Sequence, residues 1–211
     1  MKIALINENS QAAKNAQVYD VLKQVVEPLG HTVYNYGMHG VDDPYFLTYV
    51  QNGLLSAILL NSGAVDFVVT GCGSGEGAMI SSNAFPGVQC GLMVEPYDGY
   101  LFAHINDGNA VSFPFSKVEG DSGTQLLHET FRQLFCFGHG LGHPKERAEG
   151  QKRNKKILDE LKTITHTDML TILKNMDQEL LKSTVSSDYF KEYFFDNCQD
   201  QAIADYIRSI L

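Results

Sequence analysis

No CxxC pair links the four cysteines, Cys72, Cys90, Cys136 and Cys198, so neither a disulfide framework nor a zinc knuckle is expected and the thiols read as reduced. No apolar run approaches the roughly 18–20 residues that a bilayer crossing needs. The N-terminus opens into a strand-like segment rather than a basic region with a cleavage site. A soluble, cytoplasmic protein with no membrane partner is expected. Cations are also scarce: 16 Lys and Arg stand against 25 Asp and Glu, a net charge of -9. Chains that coat nucleic acid do the opposite, gathering cations to displace phosphate counterions, so no nucleic-acid partner is expected. The shortage is uneven, with 7 cations against 15 carboxylates (net -8) in residues 1–150 and 9 against 10 (net -1) in residues 151–211. An anionic ligand of the first part must therefore be held by backbone amides and a few placed cations.

What is present is a globular composition, 44% apolar and 19% charged, in 211 residues, enough for one core of about 150 residues and an appendage. Strand-like runs alternate with helical periodicity through the first two thirds. Lys2–Ile6 reads as a buried strand. Ser10 is placed to cap a helix carrying Val18, Leu22, Val25, Val26 and Leu29 on one side, and Gly30 is placed to end it. His31–Tyr36 follows as a strand, and Pro44 stands near the start of an apolar helix reaching about Asn61. Further strands are expected at Asp66–Thr70, Val88–Val94 and Ala110–Phe113, with helices at Tyr97–Ile105 and Thr124–Phe137. Strands joined by helices of this length imply right-handed crossovers. The expected fold is a three-layer, Rossmann-like, doubly wound parallel sheet of five strands. Past Gly150 there is no glycine, and helices are expected at Gln151–Leu161, Asp168–Met176, Asp188–Phe195 and Gln199–Leu211. Residues 151–211 thus read as a helical extension packing on the core or on a partner subunit, with Tyr189, Phe190, Tyr193, Phe194 and Phe195 expected to cover the pocket or a subunit interface.

The densest chemical signal is TGCGSGEGAMISSN at Thr70–Asn83, a glycine-rich turn directly after a strand and running into a helix. Such a turn lies at the carboxyl end of a strand, where open parallel sheets bind ligands, and it offers unpaired amides to an anion. A dinucleotide site would place its glycine loop after the first strand, with an acidic residue about 20 positions on. This loop follows a later strand, and after Gly71 and Gly73 the third glycine of that motif is missing at the expected place. It carries instead the thiol of Cys72, the hydroxyl of Ser74 and the carboxylate of Glu76. A thiolate beside a helix N-terminus is electrostatically favoured and can act as base or nucleophile, whereas a lone cysteine is also commonly a small buried residue. Position alone leaves both readings open.

The segment CGSGEGAMISSNAFPGV, Cys72–Val88, resembles the signature of the ribose-5-phosphate isomerase B and galactose-6-phosphate isomerase family, roughly CGTGxGMxIxANKxPGI. EPYDGYLFAHINDGNAV, Glu95–Val111, is similar to that family's segment ending in HNDxN-V, and the MKIAL start and the DDP at Asp42–Pro44 agree with it. The resemblance covers about residues 1–150. It implies an aldose–ketose isomerisation of a sugar phosphate through an enediolate, without metal or organic cofactor, in a homodimer or tetramer with sites at the subunit interface. It also implies Cys72 as base with Ser74 assisting, and Gly73, Gly75 and Gly77 as amide donors. Asn83 and Asn106 match polar positions of the family. Glu76 replaces an apolar residue and reads as a second acid/base group or a surface carboxylate.

Departures from the pattern bear on the substrate. The family's SDHAG reads Asn7-Glu8-Asn9-Ser10-Gln11, so Glu8 takes the place of an aspartate and Asn9 that of a phosphate-facing histidine. The ring-opening histidine falls on Ile105, with His104 one residue earlier, a turn of about 100° on a helix. An arginine after the fifth strand falls on Ser116, beside Lys117. The late RHxxR element resembles His143-Pro144-Lys145-Glu146-Arg147, in which His143 and Arg147 can hold an anion. Expected catalytic residues are therefore Cys72, Ser74, Glu8 and His104; expected substrate contacts are Asn9, Gly73, Gly75, Glu76, Gly77, Asn83, Asn106, His143 and Arg147. A metal centre built from His104, His139, His143 and Glu76 lacks a known ligand spacing and is not expected. The alternative is a non-catalytic sugar-phosphate-binding protein that keeps the glycine cradle.

Overall fold

A computed structural model describes all residues 1–211. Five strands, β1 (Lys2–Asn7), β2 (Thr32–Asn35), β3 (Phe67–Cys72), β4 (Cys90–Leu92) and β5 (Ala110–Pro114), form one parallel sheet in the order β2-β1-β3-β5-β4. Apolar residues fill both faces of β1, β3 and β5, as a sheet covered by helices on two sides requires. The chain runs from β1 to its neighbour β2 on one side and then to β3 on the other. The crevice between the carboxyl ends of β1 and β3 is thus a topological switch point. Register places Asn7 opposite Gly71 and Cys72 opposite Pro114 at that edge. The doubly wound parallel architecture expected from the sequence is the one observed.

Helices α1 (Asn15–Val26), α2 (Tyr49–Asn61), α3 (Glu76–Asn83), α4 (Pro96–Leu101) and α5 (Gly120–Phe135) connect and cover the sheet. On one face, α1 and α5 bury Val18, Leu22, Leu127, Phe131 and Leu134 against Ile3, Leu5, Phe67 and Val69. Helix α2 is different. Gln51 through Leu59 are all buried, because the sheet lies on one side of it and C-terminal helices on the other. A helix apolar all round is one buried all round.

The C-terminal helices are α6 (Ala148–Thr165), α7 (Met169–Asn175), α8 (Gln178–Val185), α9 (Asp188–Asn197) and α10 (Gln201–Ile210). Met169, Leu173, Leu181, Val185, Phe190, Phe194, Ile203 and Ile207 share one core with Ala4, Tyr36, Leu54 and Ile58. The extension therefore completes the chain's own core over α2. Its aromatic run is correspondingly not a pocket cover: Phe190 and Phe194 are fully buried and stacked at 4.5 Å between centroids, and Tyr193 packs edgewise on Tyr36. Tyr189 alone reaches toward the sheet's carboxyl edge, stacking on His39 at 3.7 Å.

Several boundaries differ from the sequence reading for local reasons. Glu8, not Ser10, caps the first turn, accepting the Ser10 amide, and a 3-10 segment (Asn9–Lys14) precedes α1. Leu29 lies beyond α1 and is exposed, whereas Gly30 does end that region in the left-handed conformation, φ 80°. The segment after Pro44 is an open loop, and α2 begins only where Thr48 and Gln51 form a reciprocal capping box. Thr48→Ala is expected to lower stability by about 1 kcal/mol, read as a shift in the urea midpoint. Helix α5 starts at Gly120 rather than at Thr124, and α8 fills a stretch that the periodicity left unassigned because its buried Leu181, Thr184 and Val185 include a hydroxyl.

Candidate active site

Glycines set the shape of the turn after β3. Gly71 is pressed so closely on Phe113 and Phe115 that a Cβ would lie 2.5 Å from the Phe113 carbonyl oxygen. Gly75 caps α3 with φ 78°, and a Cβ there would fall 2.6 Å from Leu92 Cδ1. The N–H groups of Gly73, Ser74 and Gly75 donate to no other group in the chain, and the first turn of α3 adds further unpaired donors at Gly77. Above them stands Cys72, 7% exposed, its Sγ 4.0 Å from Ser74 Oγ. Ser74 in turn accepts the Glu76 amide at 3.3 Å, while the Glu76 carboxylate projects into solvent.

The floor of the turn is fixed from below by Asn52, fully buried in the middle of α2. Its Nδ2 lies 3.2 Å from Ile6 O, 3.0 Å from Thr70 Oγ1 and 3.2 Å from Gly71 O. Thr70 Oγ1 donates to Ile6 O at 2.9 Å, tying β3 to β1. A reciprocal amide pair between Asn15 and Asn35, joined by Asn7, braces the neighbouring strand ends. Asn52→Leu leaves three acceptors under the turn without this donor, and a loss of about 1–3 kcal/mol is expected in chemical denaturation.

The residues expected to act with Cys72 fall into three places. Glu8, 3% exposed, lies beside the turn at the end of β1, but its carboxylate is engaged in capping, accepting the Ser10 amide at 2.9 Å and the Ser10 hydroxyl at 2.5 Å. Asn9, with its carboxamide turned to donate, reaches Glu8 Oε2 at 2.8 Å and Leu47 O at 3.0 Å. Both belong to the Cys72 neighbourhood as parts of its frame.

His104 does not reach Cys72 within one chain. It sits in a π-helical turn (Phe102–Asn106). The ring is 6% exposed, stacked on Tyr100 at 4.0 Å, with Nδ1 3.1 Å from Tyr100 O. His143 joins the same cluster: Tyr97 Oη lies 3.4 Å from its Nε2 and Tyr100 Oη 3.4 Å from its Nδ1. Arg147 is exposed nearby and forms no ion pair.

Asn83 is placed differently again, at the C-terminal end of α3, about 12 Å of helix from the cradle. Its carboxamide is engaged by β4, donating to Cys90 O at 2.8 Å and accepting the Cys90 amide at 2.9 Å, so it is a strand clamp rather than a cradle residue. With Asn106, Phe102, Leu158 and Lys162 it lines a cavity of about 400 Å³. Burial pushes the Lys162 ammonium below its ordinary pKa, and Nζ donates to Asn83 O at 2.9 Å. Asn106 precedes β5 at its amino end, whereas Cys72 is level with Pro114 at its carboxyl end. The length of β5 separates them.

His139 is also pushed below its ordinary value, first by burial and then by neighbouring His104, while Asp107 pulls the other way; its Nε2 is buried without a partner. The neutral ring is the form the fold favours. Stability present above about pH 6.5 is therefore expected to fall as the unfolded chain takes up the proton, giving a lower urea midpoint at about pH 5.5 than at about pH 7.5. His139→Gln should flatten that difference.

Residues 3–159 match the family model described as Ribose/Galactose Isomerase. The chain belongs to the ribose/galactose isomerase family. Residues 164–210 match a second model, described as Ribose-5-phosphate isomerase. Among solved structures, a 4-deoxy-L-threo-5-hexosulose-uronate ketol-isomerase complexed with a tartrate is 56% identical, with a TM-score of 0.97 over 100% of this chain and 99% of that one. A ribose-5-phosphate isomerase from Vibrio parahaemolyticus is 48% identical, with a TM-score of 0.96 over 100% and 99%. The type B ribose 5-phosphate isomerase of Trypanosoma cruzi, at 19% identity and a TM-score of 0.64, covers 79% of this chain and 100% of its own, and shares the fold. No curated protein matches. The chain is thus a sugar isomerase by family, an intramolecular oxidoreductase, and no helix of it is long and apolar enough to cross a membrane.

Sequence reasoning did not find Asn52, Gln11 or Lys14 at this edge. Asn52 carries a legible signal, an amide in the middle of the apolar run LTYVQNGLLSAILL. Lys14 carries none, because only the fold brings it against β5.

Proposed function

We propose that this protein interconverts the aldose and ketose forms of a sugar bearing an anionic terminus, with Cys72 as the base. The observation that carries the reading is the placement of Cys72 at the β1/β3 switch point, 4.0 Å from Ser74 and above three unpaired amides. The thiolate takes the proton from C2 of an open-chain aldose. The electrons of that C–H bond form the enediolate double bond, and charge moves to the C1 oxygen, where the N–H groups of Gly73, Ser74 and Gly75 are preorganised to receive it. The Ser74 hydroxyl relays a proton between the C1 and C2 oxygens, the thiol returns its proton to C1, and the ketose leaves. Every proton and electron pair stays within the substrate and the two side chains.

A uronate of the kind named for the 56% identical relative is favoured over a sugar phosphate. Asn9 and Ser116 supply no charge at the Cys72 edge, and a carboxylate demands fewer cationic donors than a phosphate. Ribose 5-phosphate is the second reading, favoured by the 48% identical relative. The assay is C2 proton exchange in deuterated water followed by NMR, with 4-deoxy-L-threo-5-hexosulose uronate and ribose 5-phosphate supplied separately. Exchange with the uronate at a higher kcat/KM supports the reading, exchange with ribose 5-phosphate alone replaces the substrate, and exchange with neither, alongside tight sugar binding, makes the protein a non-catalytic binder.

The active unit in this reading is a homodimer, open to further pairing into a tetramer. Ser74, two residues from the buried Cys72, is exposed, so a second copy can wall the turn on that side. The exposed apolar residues fit that need: Phe46, Tyr49 and Ile80 beside the cradle, and Ile157, Leu161 and the 78% exposed Ile164 along α6. His104, Asn106, His143 and Arg147, which one chain holds away from Cys72, are the groups a partner would bring. Light scattering that reports a monomer under assay conditions would remove this part of the reading.

A further inference from the structure

Three segments converge where the glycine turn leaves the sheet: Asn9–Lys14, the turn itself, and the 3-10 segment Phe115–Lys117 after β5. The Gly73 carbonyl is held by Ser116, whose amide and hydroxyl reach it at 3.2 Å and 2.6 Å. Gln11 lies over the same glycine, its Nε2 3.8 Å from where a Gly73 Cβ would stand. The ammonium of Lys14 donates to Phe115 O at 2.5 Å, one residue from Ser116, and so sits on the rim of the turn.

That ammonium is conspicuous by its electrostatics. Residues 1–150 carry a net charge of -8, yet Lys14 forms no ion pair, and Glu8, the buried carboxylate of this edge, is engaged by Ser10 instead. An ammonium has three donors, and the Phe115 carbonyl takes one of them. A half-buried cation with donors to spare, anchored beside a cluster of free amides, is matched to an anion. Lys117 is on the same rim but exposed and without an anchor.

The geometry points to Lys14 as the specificity-determining residue that receives the anionic terminus of the substrate, with Gln11 beside it. A sugar whose aldehyde end lies on the Cys72 side of the turn extends its far end along Gly73 toward this rim. The inference rests on the isomerase reading for the identity of the substrate, but its test does not.

The test titrates the full-length protein with tartrate, a dicarboxylate, by calorimetry, using wild type, Lys14→Met, Lys14→Arg and Cys72→Ala. The expected result is that Lys14→Met weakens tartrate by about tenfold or more, the effect of losing one charge-assisted contact. Lys14→Arg restores most of the affinity and Cys72→Ala retains it. Wild-type affinity should fall with added salt and that of Lys14→Met should not. In turnover, Lys14→Met raises KM for the uronate with kcat nearly unchanged and erases the preference for it over the corresponding uncharged sugar. Undiminished tartrate binding in Lys14→Met overturns the inference, and so does a wild type that binds no tartrate. A Cys72→Ala variant with intact turnover sinks the catalytic reading alone, so the two failures are told apart.

Discussion

Replacing Cys72 by alanine is expected to lower kcat for the sugar substrate by roughly 100- to 10,000-fold, the usual contribution of a positioned acid/base group. The fold should survive. Cys72 belongs to neither of the two apolar clusters, and its sulfur lies 4.0 Å from Ser74 Oγ. Removing it therefore leaves no large core cavity, and the denaturation midpoint should move little. Binding of a substrate or product analogue should also persist, since the amides of the turn are fixed by Gly71, Gly75 and Asn52 and not by the thiol. The signature of the base is loss of C2 proton exchange with affinity retained. Ser74→Ala should be milder, because a hydroxyl relay can be replaced by water, and Cys72→Ser should retain only weak activity because an alkoxide is far harder to form than a thiolate. Should Cys72→Ala exchange the C2 proton at the wild-type rate, another group is the base.

The second large effect concerns stability. Phe190→Ala is expected to cost about 3–5 kcal/mol, the range for truncating a large buried aromatic. In a chain of this length that is on the order of 10 °C in Tm. Phe190 is fully buried between Tyr36 and Phe194, at the point where the C-terminal helices meet the sheet. The loss should be cooperative and global, since Ala4, Leu54 and Phe190 belong to one core. Two transitions in calorimetry, with the Cys72 turn still protected from hydrogen exchange after the first, would instead make the extension an independent unit.

Much of the fold is legible from periodicity because each element's surroundings are simple. β1 and β3 read as continuous apolar runs since both their faces are covered, and α1 shows a clear stripe since only one side of it is. Legibility fails where side-chain chemistry decides the start of an element. Ser10 has the composition of a cap, but the Glu8 carboxylate is the cap, accepting both the amide and the hydroxyl of Ser10. The α2 start waits for a Thr and a Gln three residues apart, which is visible in retrospect as the TYVQ of Thr48–Gln51. His104 shows a further limit. One offset residue suggests either a shifted helix or another role, and only the structure shows the π-helical turn in which the ring stacks on Tyr100.

The sequence by itself determined where strands and helices alternate, the glycine turn that follows β3 and the identity of the thiol in it, because these depend on the local apolar pattern and on backbone positions that only glycine fits. Tertiary structure decided which polar residues share a place. It put Glu8 and Asn9 into the frame of the turn, drew Asn83 to β4, gathered His104 with His143 and Tyr100 at a distance from Cys72, and laid Lys14 against the end of β5. The reason is that a side chain's partners are set by how strands order and helices pack across the sheet. That ordering joins residues separated by as many as 163 positions, as Tyr34 and Asn197 are, and no local pattern encodes it.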